Sequence, residues 1–214
     1  MDRDMTVVLA TTRANAALDN ILANANNGRL QLRAGTDNGP DAAASGTLVS
    51  EHTMSATAFA AAASKVATAN AVGSAVAASG GTPSHARLTQ SDGTTGVLHL
   101  SCGGSFSYTN SGNVLTTNAA HGWAASTPVR VFAEPGGALT TGLSQDTTYY
   151  VRAPSGSTLE LSLTPGGAAV VLTGTGTAVQ RICLASTDVA IGSNSGDILA
   201  GTTVQIANVR LRFP

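Results

Sequence analysis

Residues 97–108 read VLHLSCGGSFSY, and the way the chain continues past them decides the fold. Leu98, Leu100 and Cys102 alternate with His99 and Ser101, the period-two pattern of a strand with one buried face. Gly103-Gly104 then supplies the backbone freedom for a tight hairpin turn. No returning strand of that hairpin follows. A new β-rich passage starts at Phe106, and the only other cysteine waits at Cys183, in QRICLAST.

The passage between the cysteines has its own rhythm. FSYTN, NVLTTN, PVRVFAE, TTYYVRAP, STLELSL, AAVVLTG and TAVQRIC are short β-patterned runs separated by NSG, PGG, PSG and GTGT turns. The passage holds Trp123, the sole tryptophan, and all three tyrosines. It is long enough to fold as a small β-sandwich or barrel around Trp123, Phe132, Tyr149, Tyr150 and its Val and Leu positions. With it removed, TGVLHLSC would meet ICLASTDVA as an ordinary hairpin. The reading is therefore two units: a discontinuous base of residues 1–102 plus 183–214, and an inserted domain of residues 103–182 whose ends lie close together.

The base begins with an amphipathic helix. TRANAALDNILANANN (12–27) carries Ala14, Ala17, Leu18, Ile21, Leu22 and Ala25 at helical spacing, with Thr11 or Thr12 as cap and Gly28 as stop. RLQLRAG and TLVSEHTMS read as strands around a turn-rich loop at 35–46. ATAFAAAA (56–63) fits either helix or loop. GSAVAAS and HARLTQS look like a strand pair, SDG (91–93) marks a hairpin, and TTVQIANVRLRF is a closing strand with a slip, hence a bulge. MDRDMTVVLATT ahead of the helix is a further sandwich strand or an arm for a neighbour's sheet. The fold class is mainly β: an antiparallel, jelly-roll-like β-sandwich with one N-terminal helix and a second small β domain inserted in a hairpin.

Composition narrows the chemistry. Of 214 residues, 43% are hydrophobic, 4% aromatic and 11% charged, with net charge −1; globular chains average about 25% charged. Lys65 is the single lysine. So little surface charge fits a subunit partly covered by neighbours, or a neutral Ser/Thr-rich exterior. No basic block or basic-aromatic interleaving marks direct nucleic-acid binding. No apolar run reaches membrane-spanning length, and the N-terminus lacks a signal-peptide pattern, which points to synthesis in a cytoplasm.

Candidate sites are sparse. His121-Gly122-Trp123 reads either as a contact or sugar-binding surface with Trp123 as platform, or as a turn whose His bonds backbone while Trp packs inward. Asp37-Asn38-Gly39-Pro40-Asp41 offers oxygen ligands at close spacing without the distal Glu of a calcium loop; such residues also make ordinary turns. Asn194-Ser195-Gly196-Asp197 is similar. His52, His85, His99 and His121 stand singly, without zinc spacing. Neither a G-x-S-x-G elbow nor a phosphate loop occurs. The expectation is a non-enzyme without metal or cofactor. Cys102 and Cys183 would meet at the neck of the insert, as a bridge or as the free thiols a cytosolic origin favours.

LDNILANANNGRLQLRAGT, LVSEHTMSATAFAAAA, HARLTQSDGTTG and ILAGTTVQIANVRLRFP together resemble a family of small virion structural proteins of tailed bacteriophages. The likeness covers about 1–102 and 183–214. In that family a short helix ending in Gly leads into an "LRL" strand, and a "DSDGT" hairpin and an "I-x-x-G-x-x-V-x-I" closing strand follow. The insert is similar to a β module of phage virion and tail-fibre proteins, through NAAHGWAASTPVRVF, GLSQDTTYYV and LTGTGT. Trp123 replaces the usual aliphatic residue there, and Ser126-Thr127 stand where Gly is usual. The resemblance implies a capsid decoration or minor capsid protein, made in the bacterial cytoplasm and located in the virion. Its partners would be the major capsid protein and copies of itself, with no nucleic acid and no membrane; the local symmetry of a capsid, which presents sites in threes, suggests a trimer. A tail or baseplate component, or a carbohydrate-binding virion adhesin, is the alternative.

Overall fold

The computed structural model describes residues 9–145 and 147–212. It is mainly β, with one helix, one seven-stranded sheet and one closed six-stranded barrel. The expected strand or arm at 1–8 lies outside the described residues.

Helix α1 (Thr11–Ala23) buries Ala14, Leu18 and Leu22, residues four apart and hence on one stripe. Its N-cap is Ala10, without a side-chain cap; both threonines are already helical. At the other end Asn27, not Gly28, takes the left-handed φ, at 56°. Gly28 is required for space: a Cβ there would lie 2.1 Å from the Thr89 carbonyl oxygen.

Strands β1 (Arg29–Ala34), β2 (Thr47–Thr53), β3 (Val66–Thr68), β4 (Ala75–Val76), β5 (His85–Thr89) and β6 (Gly96–Gly104) follow. Next come β7 (Phe106–Ser111), β8 (Val114–Thr117), β9 (Pro128–Ala133), β10 (Tyr149–Ser155), β11 (Thr158–Ser162) and β12 (Gln180–Leu184). The chain closes with β13 (Val189–Ile191), β14 (Thr203–Val204) and β15 (Ile206–Arg212). The base sheet runs β2-β1-β5-β6-β13-β15-β3. One of its faces buries Leu30, Leu32, Val49, Leu88, Val189 and Val209 beneath Leu18 and Leu22 of α1, Met54, Phe59 and the β4–β14 ribbon. The expected pairing of 73–79 with 85–91 does not form. β5 is buried along its whole length and takes a central place between β1 and β6, while β4 pairs with β14. The closing strand's irregularity falls at Ala207, where the β13–β15 ladder steps from Ala190 opposite Asn208 to Ile191 opposite Ile206.

The insertion point differs from a hairpin in one respect. β6 and β13 are parallel neighbours, with Cys102 opposite Val189 and Gly104 opposite Ile191. Two parallel strands cannot be joined by a tight turn and need a crossover of a dozen or more residues. The barrel is that crossover. Its strands run from Phe106 to Leu184 in the order β10-β11-β8-β7-β12-β9, closing on β10, so Cys183 belongs to a barrel strand. Of the seven β-patterned runs in the sequence, six form the barrel; AAVVLTG contributes only isolated bridges, at Ala169 and Thr173. Phe106, Leu115, Val129, Val131, Tyr149, Val151, Leu159, Leu161 and Ile182 fill the interior, with Trp123 packed at its margin.

Candidate functional site

Successive residues on a strand point to opposite faces, so each barrel strand has an inner and an outer set. On β9 the inner residues are Val129 and Val131, which leaves Arg130 and Phe132 outside; on β12 Ile182 is inside, Arg181 and Cys183 outside. An outer set is normally solvated. Here Arg130, Phe132 and Cys183 are all buried, because this wall of the barrel lies against the base. Phe132, Cys183 and Ala190 of β13 form a small apolar cluster of their own, joined by Ala207 of β15.

Arg130 is the polar centre of the junction. Its Nε and Nη2 donate to the Thr187 carbonyl at 3.1 and 2.8 Å, and its Nη1 donates to Asn208 Oδ1 at 2.8 Å. The guanidinium also stands 5.2 Å from the centroid of the Phe132 ring, within cation–π range. Burial lowers its pKa, with Arg210 adding to the effect and Asp188 opposing it; a guanidinium nonetheless stays charged in proteins. A second arginine closes the junction's margin. Arg181 Nε donates to Glu134 Oε1 at 2.8 Å, and its Nη1 reaches the carbonyls of Ser105 and Gly192 at 3.4 Å each.

Beside this junction runs a groove of about 850 Å³, lined by Cys102, His121, Trp123, Leu184, Thr187 and Asn194 among others. His121, Trp123, Cys102 and the Asn194-Ser195 turn, all noted in the sequence, therefore share one cleft, while Cys183 stays outside its lining. His121 is buried; its Nδ1 accepts the Trp123 backbone N–H at 3.0 Å and its Nε2–H donates to the Thr158 carbonyl at 3.3 Å. Gly122 between them has φ 68°, the left-handed turn position that favours glycine. The Trp123 ring is engaged by Phe106 edge-to-face, at 5.2 Å between centroids, and by His121 at 5.1 Å.

The cysteines are free. Cys102 is half-buried, donates to the Pro83 carbonyl at 3.4 Å, and has its thiol pushed up to about 12 by burial. Cys183 is fully buried and raised for the same reason, with Arg130 and Arg210 pulling the other way. They lie on strands that do not pair with each other, Cys102 opposite Val189 and Cys183 opposite Arg130. Neither is a reactive thiolate.

The acidic turns are internally engaged. Asp37 Oδ1 accepts the Gly39 N–H and a hydrogen of the His99 ring; Asp197 Oδ1 accepts the Thr82 hydroxyl, and the Asp197 N–H donates to Ser195 Oγ. Among the described residues no three His, Cys, Asp or Glu side chains converge as a metal site. Comparison of the chain with protein-family models, with curated proteins and with solved structures returned no match.

Sequence reading passed over Arg130 and Arg181 altogether and put Phe132 inside the barrel. A signal for them is present. In PVRVFA and QRICLA both alternating sets contain apolar residues, which marks a strand covered on both sides; an arginine in such a strand has to be held by partners.

Proposed function

We propose that this chain is a non-enzymatic structural protein of a tailed-bacteriophage virion, a capsid decoration or minor capsid protein. Its base sits on the major capsid lattice and its barrel projects outward. The observation that supports this reading is the buried junction: Arg130, Arg181 and the Phe132–Cys183–Ala190 cluster fix the barrel to the base as one body. A display or reinforcement protein needs such a body, since a loosely tethered barrel would neither brace a shell nor hold a fixed direction. The resemblance of the outer segments to phage virion proteins points the same way. The base also exposes Val76 at 65% and Leu199 at 73% beside the β4–β14 ribbon, apolar area suited to burial against a partner. Each contact is weak, and repetition over a shell together with self-association as a trimer makes attachment strong.

Copy number per intact particle, by quantitative mass spectrometry against the major capsid protein, tests the reading. Hundreds of copies place the chain on the head. A dozen or fewer make it a tail or baseplate component. Loss of host attachment on removal of the barrel, with particle stability unchanged, would make it a carbohydrate-binding adhesin.

A further inference from the structure

The loop at 35–46 joins β1 to β2, yet it does not turn directly between them. It crosses the polar face of β1, β5 and β6 as a strap. Arg33 Nη1 on β1 donates to the carbonyls of Ser45 and Gly46 at 3.3 and 3.1 Å. Arg87 Nη1 on β5 donates to the Ala42 carbonyl at 2.8 Å, and His99 on β6 meets Asp37 Oδ1 at 2.6 Å. Ser84 Oγ donates to the Gly35 carbonyl at 2.6 Å. Beneath the strap the rings of His85 and His99 stack, with centroids 5.8 Å apart and planes 23° from parallel.

The hydrogen bonds fix the protons. An ionised carboxylate only accepts, so His99 Nδ1 carries the hydrogen toward Asp37. The Ser84 hydroxyl hydrogen goes to Gly35, which leaves its oxygen to accept from His85 Nδ1 at 3.1 Å. Both Nε2 atoms are then bare lone pairs. Both are buried and, among the described residues, have no hydrogen-bond partner; the Arg87 Nε–H shares that condition. A proton added to His85 Nε2 creates a buried donor without an acceptor, next to a second imidazole and two guanidinium groups.

We propose that residues 35–46 are an acid-released strap, opened when His85 takes up a proton beneath it. The charged groups around His85 set the sign. Burial holds His85 below the ordinary imidazole range; Asp37 of the strap opposes this, while His99 and Arg33 reinforce it. Arg87 on β5 and Glu51 on β2 act on Arg33 in turn, with opposite signs. Asp41, the strap's other acid, is exposed. Closed-strap stability from His85 is fully present above the ordinary value of about 6.5 and is lost as pH falls through the lowered one. Asp37 is not the trigger. The Gly39 N–H and His99 hold its carboxyl below the usual range, so it stays ionised until the pH is far more acidic.

The test is amide hydrogen exchange on the full chain between pH 7.5 and 5, corrected for intrinsic rates. Protection of peptides within 36–46 is expected to fall by about tenfold for each pH unit over which His85 protonates, while β9 and β12 hold theirs. His85→Gln removes that pH response. Should this variant fail to fold, wild-type NMR decides: the His85 ring and the Asn38 and Gly39 amides titrate with one midpoint below 6.5. Strap protection that ignores pH, an unchanged response in His85→Gln, or strap amides that titrate with His52 would overturn the proposal.

Discussion

Arg130 Nη1 on barrel strand β9 donates to Asn208 Oδ1 on base strand β15 at 2.8 Å. The same guanidinium gives two further hydrogens to the Thr187 carbonyl. One side chain thus ties together the barrel, the connection out of it and the base sheet. Arg130→Ala leaves the buried Thr187 carbonyl and the half-buried Asn208 Oδ1 without their donor, and a hole beside Phe132. The expected cost is about 3 kcal/mol, from hydrogen bonds to a charged group at about 1.5–3 kcal/mol plus lost packing. Arg130→Lys recovers less than half, because an ammonium cannot reproduce the fork. Urea unfolding should separate into two transitions in Arg130→Ala, the barrel followed by Trp123 fluorescence and the whole chain by far-ultraviolet dichroism. A single coincident transition would remove Arg130 from this role.

The second arginine contact predicts a contrasting result. Glu134 is one-third exposed, with side-chain exposure of 33%, so its pair with Arg181 is screened by water. Glu134→Gln should cost less than about 1 kcal/mol and leave unfolding cooperative, measured by the same two probes.

Gly104, the last residue of β6, sits where the chain leaves the base. A Cβ there would lie 2.3 Å from the Asn194 carbonyl oxygen, 2.6 Å from that of Ser193 and 2.7 Å from Gly196 N. All three are backbone atoms, so the 193–196 turn would have to move. Gly104→Ala is expected to destabilise by more than about 2 kcal/mol, a cost typical of overpacking. Gly112, in the β7–β8 turn, has φ 56° and open space around its Cβ position; Gly112→Ala should cost only the left-handed backbone penalty of about 1–2 kcal/mol. Thermal melts of the two variants side by side check the order.

What could be read in advance follows from which signals are local. Helix α1, the strand through Leu30 and Leu32, and the Ser91–Gly93 hairpin rest on residues near in sequence, and each forms where its pattern put it, although the helix ends at Ala23 rather than running on to 27. Asp92 even holds its turn directly: it accepts the Thr95 hydroxyl and the N–H groups of Thr94 and Thr95, and these bonds, the hydroxyl's first, bring its carboxyl down to about 2. The β6–β13 neighbourhood is different. Gly103-Gly104 carries a hairpin signal, but these glycines serve close approach to Thr187 and the 193–196 turn, and a parallel pair has no local signature. The junction was hidden for the same reason. Arg130 looks like an exposed strand residue until Asn208, 78 positions away, is known to face it. His121 and Trp123 drew notice by rarity, and the groove they share with Cys102 exists only through the docking of two units.

Both thiols should be inert in the folded protein. Burial raises the Cys102 and Cys183 thiols and neither has a nearby disulfide partner. Reaction with a thiol reagent at pH 8 is expected to run at least a hundredfold slower in the native chain than in urea. Reductant should leave the melting temperature unchanged. A reductant-dependent melting temperature would mean that the cysteines are bonded.

His52 makes the last prediction. It is fully buried, donates from Nδ1 to the Gly73 carbonyl at 2.8 Å and accepts the Ser50 hydroxyl on Nε2 at 3.0 Å. A proton on Nε2 would turn that acceptor into a donor facing a serine that must then reorient. Burial lowers the pKa of this ring, and its bond to Gly73 only partly opposes the shift. Because the folded value lies below the unfolded one of about 6.5, His52 contributes stability that is present above that pH and lost as pH falls through the lowered value. The urea midpoint of the base should therefore drop between pH 7 and pH 5. His52→Gln should flatten that drop while itself costing about 2 kcal/mol at pH 7, from imperfect replacement of two buried hydrogen bonds. The strap at 35–46 must keep its own pH response in His52→Gln, since Ser50, His52 and Gly73 make none of its contacts; hydrogen exchange on that variant separates the two histidines.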